Sequence, residues 1–147
     1  MNHKILSVLA LAALLMGTGC QKQEKATNVI FLIGDGMGMG AVSSLIVSED
    51  QPTAFELAPV VGLSETGSAN SYVTDSPAGG TALATGTRTL NGYLGLDPDD
   101  QQLESILKKA QTLGKKTGIV VNTVLTEATP AAFYAGVTSR NQSEKIA

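Results

Sequence analysis

Asp35, Ser76, Glu127, Thr129 and Arg140 are the residues of this 147-residue sequence whose types and settings could do chemistry together. Ser76 lies in the stretch Val73-Thr74-Asp75-Ser76-Pro77-Ala78-Gly79-Gly80-Thr81-Ala82-Leu83-Ala84-Thr85-Gly86. A serine N-cap followed by proline at the first helical position opens a helix, and the small residues run on to Gly86 as a C-cap. The hydroxyl would then stand at the positive end of a helix, where free N–H groups and the helix dipole favour an anion. A serine placed there could attack a phosphoryl group whose oxygens the same helix end holds. Taken alone, the segment is better read as a capped helix, since most capping serines do no chemistry.

Asp35 sits in Gly34-Asp35-Gly36-Met37-Gly38-Met39-Gly40, directly after the apolar, β-branched run at 28–33. Such a run fits a strand buried on both faces of a parallel sheet, and ligands collect at the carboxyl ends of those strands. Three readings compete for Asp35: a metal ligand with glycines that let the backbone pass close by, a dinucleotide-binding turn, and a structural turn. The dinucleotide reading rests on Gly36 to Ala41 matching G-x-G-x-x-G/A, with Glu56 at about the right offset for a ribose. An ionised Asp35 would repel a pyrophosphate there, and Glu56 precedes the apolar run at 57–63 instead of ending one, so this reading is set behind the other two.

The third segment, Thr123-Val124-Leu125-Thr126-Glu127-Ala128-Thr129-Pro130, again follows a strand-like run and repeats the cap-then-proline arrangement at Thr129 and Pro130. Glu127 and Thr129 offer hard oxygen ligands suited to Mg²⁺. Arg140, after the helix that Pro130 opens, could clamp a phosphate with two parallel hydrogen bonds. Singly, each has a plainer reading: a solvated acid, a cap and a surface charge.

The elements that must position these side chains follow from periodicity and turn chemistry. The spacing predicts a short helix over 41–47 broken at 50–52, short strands at 59–63 and 71–73, and an irregular excursion over 87–96 containing the Asn91-Gly92 turn. Leu103, Ile106, Leu107, Ala110 and Leu113 share one face of an amphipathic helix over 101–113, capped by Asp99 or Asp100 and ended by Gly114. The run at 118–122 reads as another buried strand. Strand, helix, strand in that order implies a parallel sheet with right-handed crossovers, an α/β fold.

Composition narrows the chemistry. With 43% hydrophobic and 16% charged residues the chain is globular, and a net charge of −3 with scattered basic residues leaves no nucleic-acid footprint. Cys20 and His3 are the sole residues of their kinds, so an internal disulfide, a thiolate metal cage and, once a leader is removed, a Ser-His-Asp triad are excluded. A metal site built from these residues would be oxygen-only. Residues 1–19 read as an export signal, with Lys4 ahead of an apolar run too short to span a bilayer. Met16-Gly17-Thr18-Gly19-Cys20 resembles a bacterial lipobox, so Cys20 is the expected lipidation site and residues 20–27 a tether. Gly17 stands where Leu, Val or Ile is usual, which keeps ordinary signal-peptidase cleavage open. The chain is thus expected to be exported, periplasmic or held at a membrane by that lipid.

With the three segments together, residues 28–140 resemble the N-terminal part of the alkaline phosphatases. The resemblance rests on residues 28–38, on 73–82 with Thr85-Gly86, and on 128–132 through Val137-Thr138-Ser139-Arg140. It implies a three-layer α/β/α fold with a mostly parallel central sheet, incomplete in this chain. It implies a phosphomonoester hydrolase with two Zn²⁺ and one Mg²⁺. Asp35 would bridge one Zn²⁺ and the Mg²⁺, Ser76 would be the nucleophile that carries the phosphoryl group and touches that zinc, Arg140 would grip two phosphate oxygens and Thr129 would bind Mg²⁺. Asp75 would position the arginine rather than act as a base. Glu127 falls where members commonly carry Asp or His, so the third metal site is where this sequence departs from the pattern. Most zinc ligands of the family lie in the half of the fold that would follow Ala147, so the chain is expected to be a fragment inactive by itself. A phosphomonoester substrate is the expected partner, with a homodimer allowed. The alternatives are a phosphodiesterase of the same superfamily and a catalytically dead, phosphate-binding lipoprotein.

Overall fold

The computed structural model describes residues 27–147 in two units that divide between Ile33 and Gly34. The leader, Cys20 and most of the tether lie outside the described residues. In the first unit, residues 28–33 form no ladder, and Val29, Ile30 and Leu32 are 82%, 86% and 87% exposed. The expected buried strand is therefore not assembled among the described residues.

The second unit, Gly34–Ala147, carries five helices among the described residues: α1 (Met39–Ser48), α2 (Ser76–Thr85), α3 (Ile106–Thr112), α4 (Ala128–Ala131) and α5 (Ser143–Ile146). The glycine turn feeds α1, with Gly36 in the left-handed region at φ 68° and Met37 N–H returning to the Gly34 carbonyl. α1 buries none of its side chains and ends at Glu49, just before the breaker expected at 50–52. Glu56 accepts from both the backbone and the hydroxyl of Thr53, so its carboxylate closes a local turn.

α2 begins one residue earlier than the sequence suggests. Asp75 is the N-cap and Ser76 the first helical residue, because the Asp75 carboxylate accepts the Ala78 N–H at 3.0 Å. Its second oxygen takes the Gly92 N–H at 2.7 Å, a partner 17 residues away that a serine hydroxyl could not hold as well. Gly86 ends the helix in the left-handed region, as expected.

α3 is shorter than the amphipathic run. Asp97 accepts from the backbones of Asp99 and Gln101, and Leu96 bridges to Gln102, which commits 97–102 to a turn. The N-cap is Ser105, not Asp99 or Asp100; its hydroxyl accepts the Lys108 N–H and donates to the Phe133 carbonyl at 2.6 Å.

The core is small and alanine-rich: Leu94, Ala128, Ala131, Ala132, Ala135, Val137 and Ile146 form one buried cluster. α2 lies against α4 closely enough that a Cβ on Gly80 would come within 3.1 Å of the Ala132 Cβ. Opposite, Leu94 and Val137 exchange both backbone hydrogen bonds in an antiparallel bridge. With the Leu96 and Gln102 bridge, this is the β pairing found outside helices among the described residues. The strands expected at 59–63, 71–73 and 118–122 are likewise unpaired, and Val60, Val61, Leu63 and Val120 are largely exposed. A sheet needs neighbours on each side and cover on each face; these runs have neither here.

Candidate functional site

The segments joined by this core meet at the Asp35 carboxylate. Asp35 follows the glycine turn, Ser76 opens α2 and Thr129 is the second residue of α4. The Ser76 hydroxyl donates to Asp35 Oδ1 at 3.1 Å and the Thr129 hydroxyl donates to Oδ2 at 2.7 Å. These contacts span 41 and 94 residues of sequence, so they depend on tertiary packing rather than local turns. The close approach of α2 and α4 at Gly80 sets the separation of the two hydroxyls, since the Thr129 backbone itself lies 3.5 Å from where a Gly80 Cβ would be.

Glu127 and Arg140 form a second group beside the first. Arg140 Nη2 donates to Glu127 Oε2 at 2.7 Å, with 41% of the arginine side chain and 48% of the glutamate exposed. Glu127 is also the N-cap residue of α4, yet its side chain makes no capping hydrogen bond. Thr129, expected as a cap, is inside the helix, and its hydroxyl is thereby free to turn to Asp35. Among the described residues the guanidinium bonds to Glu127 and not to Ser76 or Asp35, so the structure brings Asp35, Ser76 and Thr129 into one cluster and sets Arg140 next to it through Glu127, two residues before Thr129.

Asp75 relates to Arg140 differently from the expectation that it positions the guanidinium. Its carboxylate takes the Gly92 N–H, and the Gly92 carbonyl accepts the Arg140 N–H at 3.2 Å. The Gly92 peptide, at φ 92°, thus ties the start of α2 to the arginine's backbone. Asn91 completes the tie: its side chain accepts from the Asp75 N–H and donates to the Val73 carbonyl. Sequence reasoning marks Asn91-Gly92 as a turn and misses this role, for which the dipeptide alone gives no signal. Thr81 was missed too: fully buried, it donates to the Tyr93 carbonyl and accepts from the Gly95 N–H, holding the same loop against α2.

Near α4, the Tyr134 hydroxyl donates to the Leu125 carbonyl at 2.6 Å, fixing the segment that leads to Glu127. Burial raises its pKa above the ordinary 10.0.

The start of α2 offers less to an anion than four open amides. Pro77 has no N–H, Ala78 N–H goes to the Asp75 side chain and Gly79 N–H to the Asp75 carbonyl. Of the first four positions, that leaves the Ser76 amide uncommitted among the described residues.

The donor set suits a hard cation. Two cis oxygens around an octahedral Mg²⁺ at about 2.1 Å lie roughly 3 Å apart. The Asp35 and Thr129 oxygens, 2.7 Å apart, and the Asp35 and Ser76 oxygens, 3.1 Å apart, have that spacing. No cluster of three or more His, Cys, Asp or Glu occurs among the described residues.

A profile of the family described as alkaline phosphatase matches residues 26–147. Alkaline phosphatase 4 of Bacillus subtilis (strain 168) is 35% identical over 170 residues, an alignment covering 100% of this chain and 37% of that protein. The alkaline phosphatase of Escherichia coli (strain K12) is 38% identical over 127 residues, covering 80% of this chain and 27% of the relative. Among solved structures, a histidine-to-glutamate variant of TAB5 alkaline phosphatase with Mg bound in its M3 site superposes with a TM-score of 0.73 at 36% identity. That match covers 76% of this chain and 32% of the other. The chain therefore spans about a quarter to a little over a third of the length of these relatives.

Proposed function

The chain belongs to the alkaline phosphatase family, and on that footing we propose that it supplies the nucleophile and the phosphate grip of an exported, metal-dependent phosphomonoester hydrolase. The observation that carries this is the Asp35 carboxylate receiving the hydroxyls of Ser76 and Thr129 from two different helices. Asp75 caps α2, so this bond of the Ser76 hydroxyl serves no capping role.

In the proposed reaction Ser76 Oγ attacks the phosphorus of a monoester. The Oγ–P bond forms as the ester P–O bond breaks, Ser76 gives up its proton to water, and the oxygen that leaves with the electron pair takes a proton from water to become the alcohol. Water then attacks the phosphoseryl group, releasing inorganic phosphate and restoring the hydroxyl. The Ser76 proton points at Asp35 Oδ1, which leaves an Oγ lone pair for attack in line with the leaving oxygen. Arg140, released from Glu127, pairs with two of the non-bridging phosphoryl oxygens, and the Ser76 amide offers one further donor. Asp35 and Thr129 would hold Mg²⁺, and Asp35 with Ser76 would each give an oxygen to Zn²⁺, the remaining ligands of two zinc ions coming from outside this chain. When bound, these ions lower the pKa of the serine hydroxyl and neutralise charge on the leaving oxygen. By the family resemblance Glu127 stands at that third site, and TAB5 alkaline phosphatase with a histidine replaced by glutamate has Mg bound in its M3 site.

The three-layer sheet belongs to the same proposal: the exposed apolar runs at 28–33, 59–63 and 118–122 are its strands, paired in the whole protein. The direct test is chemical. Acid quenching of the complete protein during turnover of a phosphomonoester should leave phosphate on the peptide containing Ser76, detectable by mass spectrometry. Ser76→Ala should abolish the adduct and lower kcat by about 10³-fold or more; labelling of a different residue would end the assignment. Membrane attachment through Cys20 is proposed from the lipobox resemblance, and Cys20→Ala should move the protein from the membrane fraction to the soluble periplasm. An unchanged distribution would leave no role for the lipid.

A further inference from the structure

We propose that Glu127 is an exchangeable counter-ion for Arg140, which couples binding of the divalent cation at Asp35 and Thr129 to binding of phosphate. The proposal rests on the functional reading above, in which Arg140 grips phosphate.

Four observations carry it. Glu127 holds the guanidinium at 2.7 Å, on the functional group that a phosphate dianion needs. The helix it opens makes no use of its carboxylate, so a change of partner leaves α4 capped as before. Both side chains are nearly half exposed, and an ion pair of that kind shifts a competing equilibrium by only a few-fold, which makes it replaceable. Finally, Ala128 alone separates Glu127 from Thr129, whose hydroxyl lies on Asp35, so a carboxylate leaving Arg140 has the hard-oxygen cluster as its nearest alternative.

The exchange follows from charge. Without a divalent ion, Glu127 neutralises Arg140 and phosphate must displace it. With the ion present, the carboxylate turns toward it, and the guanidinium becomes free to pair with phosphate. Glu127 is thus a positioning residue: it touches neither substrate nor nucleophile in this account. Because coupling between two ligands is reciprocal, phosphate must tighten Mg²⁺ binding by the same factor by which Mg²⁺ tightens phosphate.

The test is titration calorimetry on the complete zinc-loaded protein, with inorganic phosphate as the probe in the absence and presence of Mg²⁺, and with Mg²⁺ as the probe in the absence and presence of phosphate. Glu127→Gln should tighten phosphate binding about two- to fivefold when Mg²⁺ is absent, weaken Mg²⁺, and reduce the factor by which each ligand promotes the other. Glu127→Ala serves as a second variant, and a thermal melt of each establishes that it is folded. Arg140→Ala should weaken phosphate binding and abolish the advantage gained by Glu127→Gln when the two are combined.

If Arg140→Ala weakens phosphate while both Glu127 variants bind it as the unsubstituted protein does without Mg²⁺, the counter-ion role is overturned and the phosphate-grip reading stands. If Arg140→Ala leaves phosphate affinity unchanged, the grip itself is wrong and the exchange falls with it. An unchanged coupling factor in Glu127→Gln also overturns the proposal.

Discussion

Asp35 gives one carboxylate oxygen to each of two hydroxyls, and that division of labour decides what its replacement does. An asparagine keeps the shape but offers one acceptor and one donor, so either Ser76 or Thr129 loses its acceptor, and the negative charge goes with it. Because the cluster is exposed to water, the hydroxyls find solvent and the fold should lose no more than about 1 kcal/mol. Cation binding has no such substitute. Asp35→Asn is therefore expected to weaken Mg²⁺ by at least about tenfold in calorimetric titration while its melting curve under chelator stays close to that of the unsubstituted protein. Equal Mg²⁺ affinity in the two proteins would remove Asp35 from the metal site. That Asp35, Ser76 and Thr129 could cooperate was legible in the sequence because each stands at the start or end of a recognisable element. The Glu127 and Arg140 ion pair was not, since each had a more demanding partner in view, a metal for one and a phosphate for the other.

The helices show where sequence patterns stop being sufficient. Periodicity and breakers locate α1, α2 and α3 well enough, but the caps are decided by partners far along the chain. Asp75 displaces Ser76 as N-cap because one carboxylate can serve Ala78 and Gly92 together, and Ser105 displaces the aspartates at 99 and 100 because Asp97 has already drawn that segment into a turn. Neither Gly92 nor the Asp97 turn is visible in the helical period. The adjacent glycines of α2 make the packing argument testable. Gly79 faces the Thr74 side chain at an ordinary 3.5 Å, whereas Gly80 faces the Ala132 Cβ at 3.1 Å and the Thr129 backbone at 3.5 Å. Gly79→Ala should gain about 0.5–1 kcal/mol from helix propensity alone. At Gly80 the same gain is offset by forcing α2 away from α4, at a cost of about 1–3 kcal/mol, and the shift separates the Ser76 and Thr129 hydroxyls. Denaturant midpoints for the complete protein should thus move in opposite directions, with kcat reduced for Gly80→Ala only. Two stabilising substitutions, or two neutral ones, would show that the α2 and α4 contact does not set the site.

Over the whole molecule, the apolar runs that read most clearly as strands are the ones left open. Val29, Ile30, Leu32, Val60, Val61, Leu63 and Val120 are each at least 80% exposed. The pattern in the sequence was of residues buried on two faces, and it can be satisfied only when other strands and covering helices are supplied. Burying a Val, Leu or Ile side chain contributes about 1.5–3 kcal/mol, so these positions together represent roughly 10–20 kcal/mol. That equals or exceeds the entire stability of an ordinary domain, about 5–15 kcal/mol, so it is not a margin a folded chain forgoes. The sequence has one histidine, His3, and the described residues hold no cluster of three His, Cys, Asp or Glu side chains. The isolated 147-residue chain is accordingly expected to bind a hydrophobic dye, to melt without a cooperative transition and to hydrolyse a phosphomonoester no faster than its Ser76→Ala variant, with or without added Zn²⁺. A monomer that melts cooperatively and shows zinc-dependent turnover would mean that these runs and these ligands suffice alone. The folding unit and the catalytic unit would then both be smaller than the family's structures require.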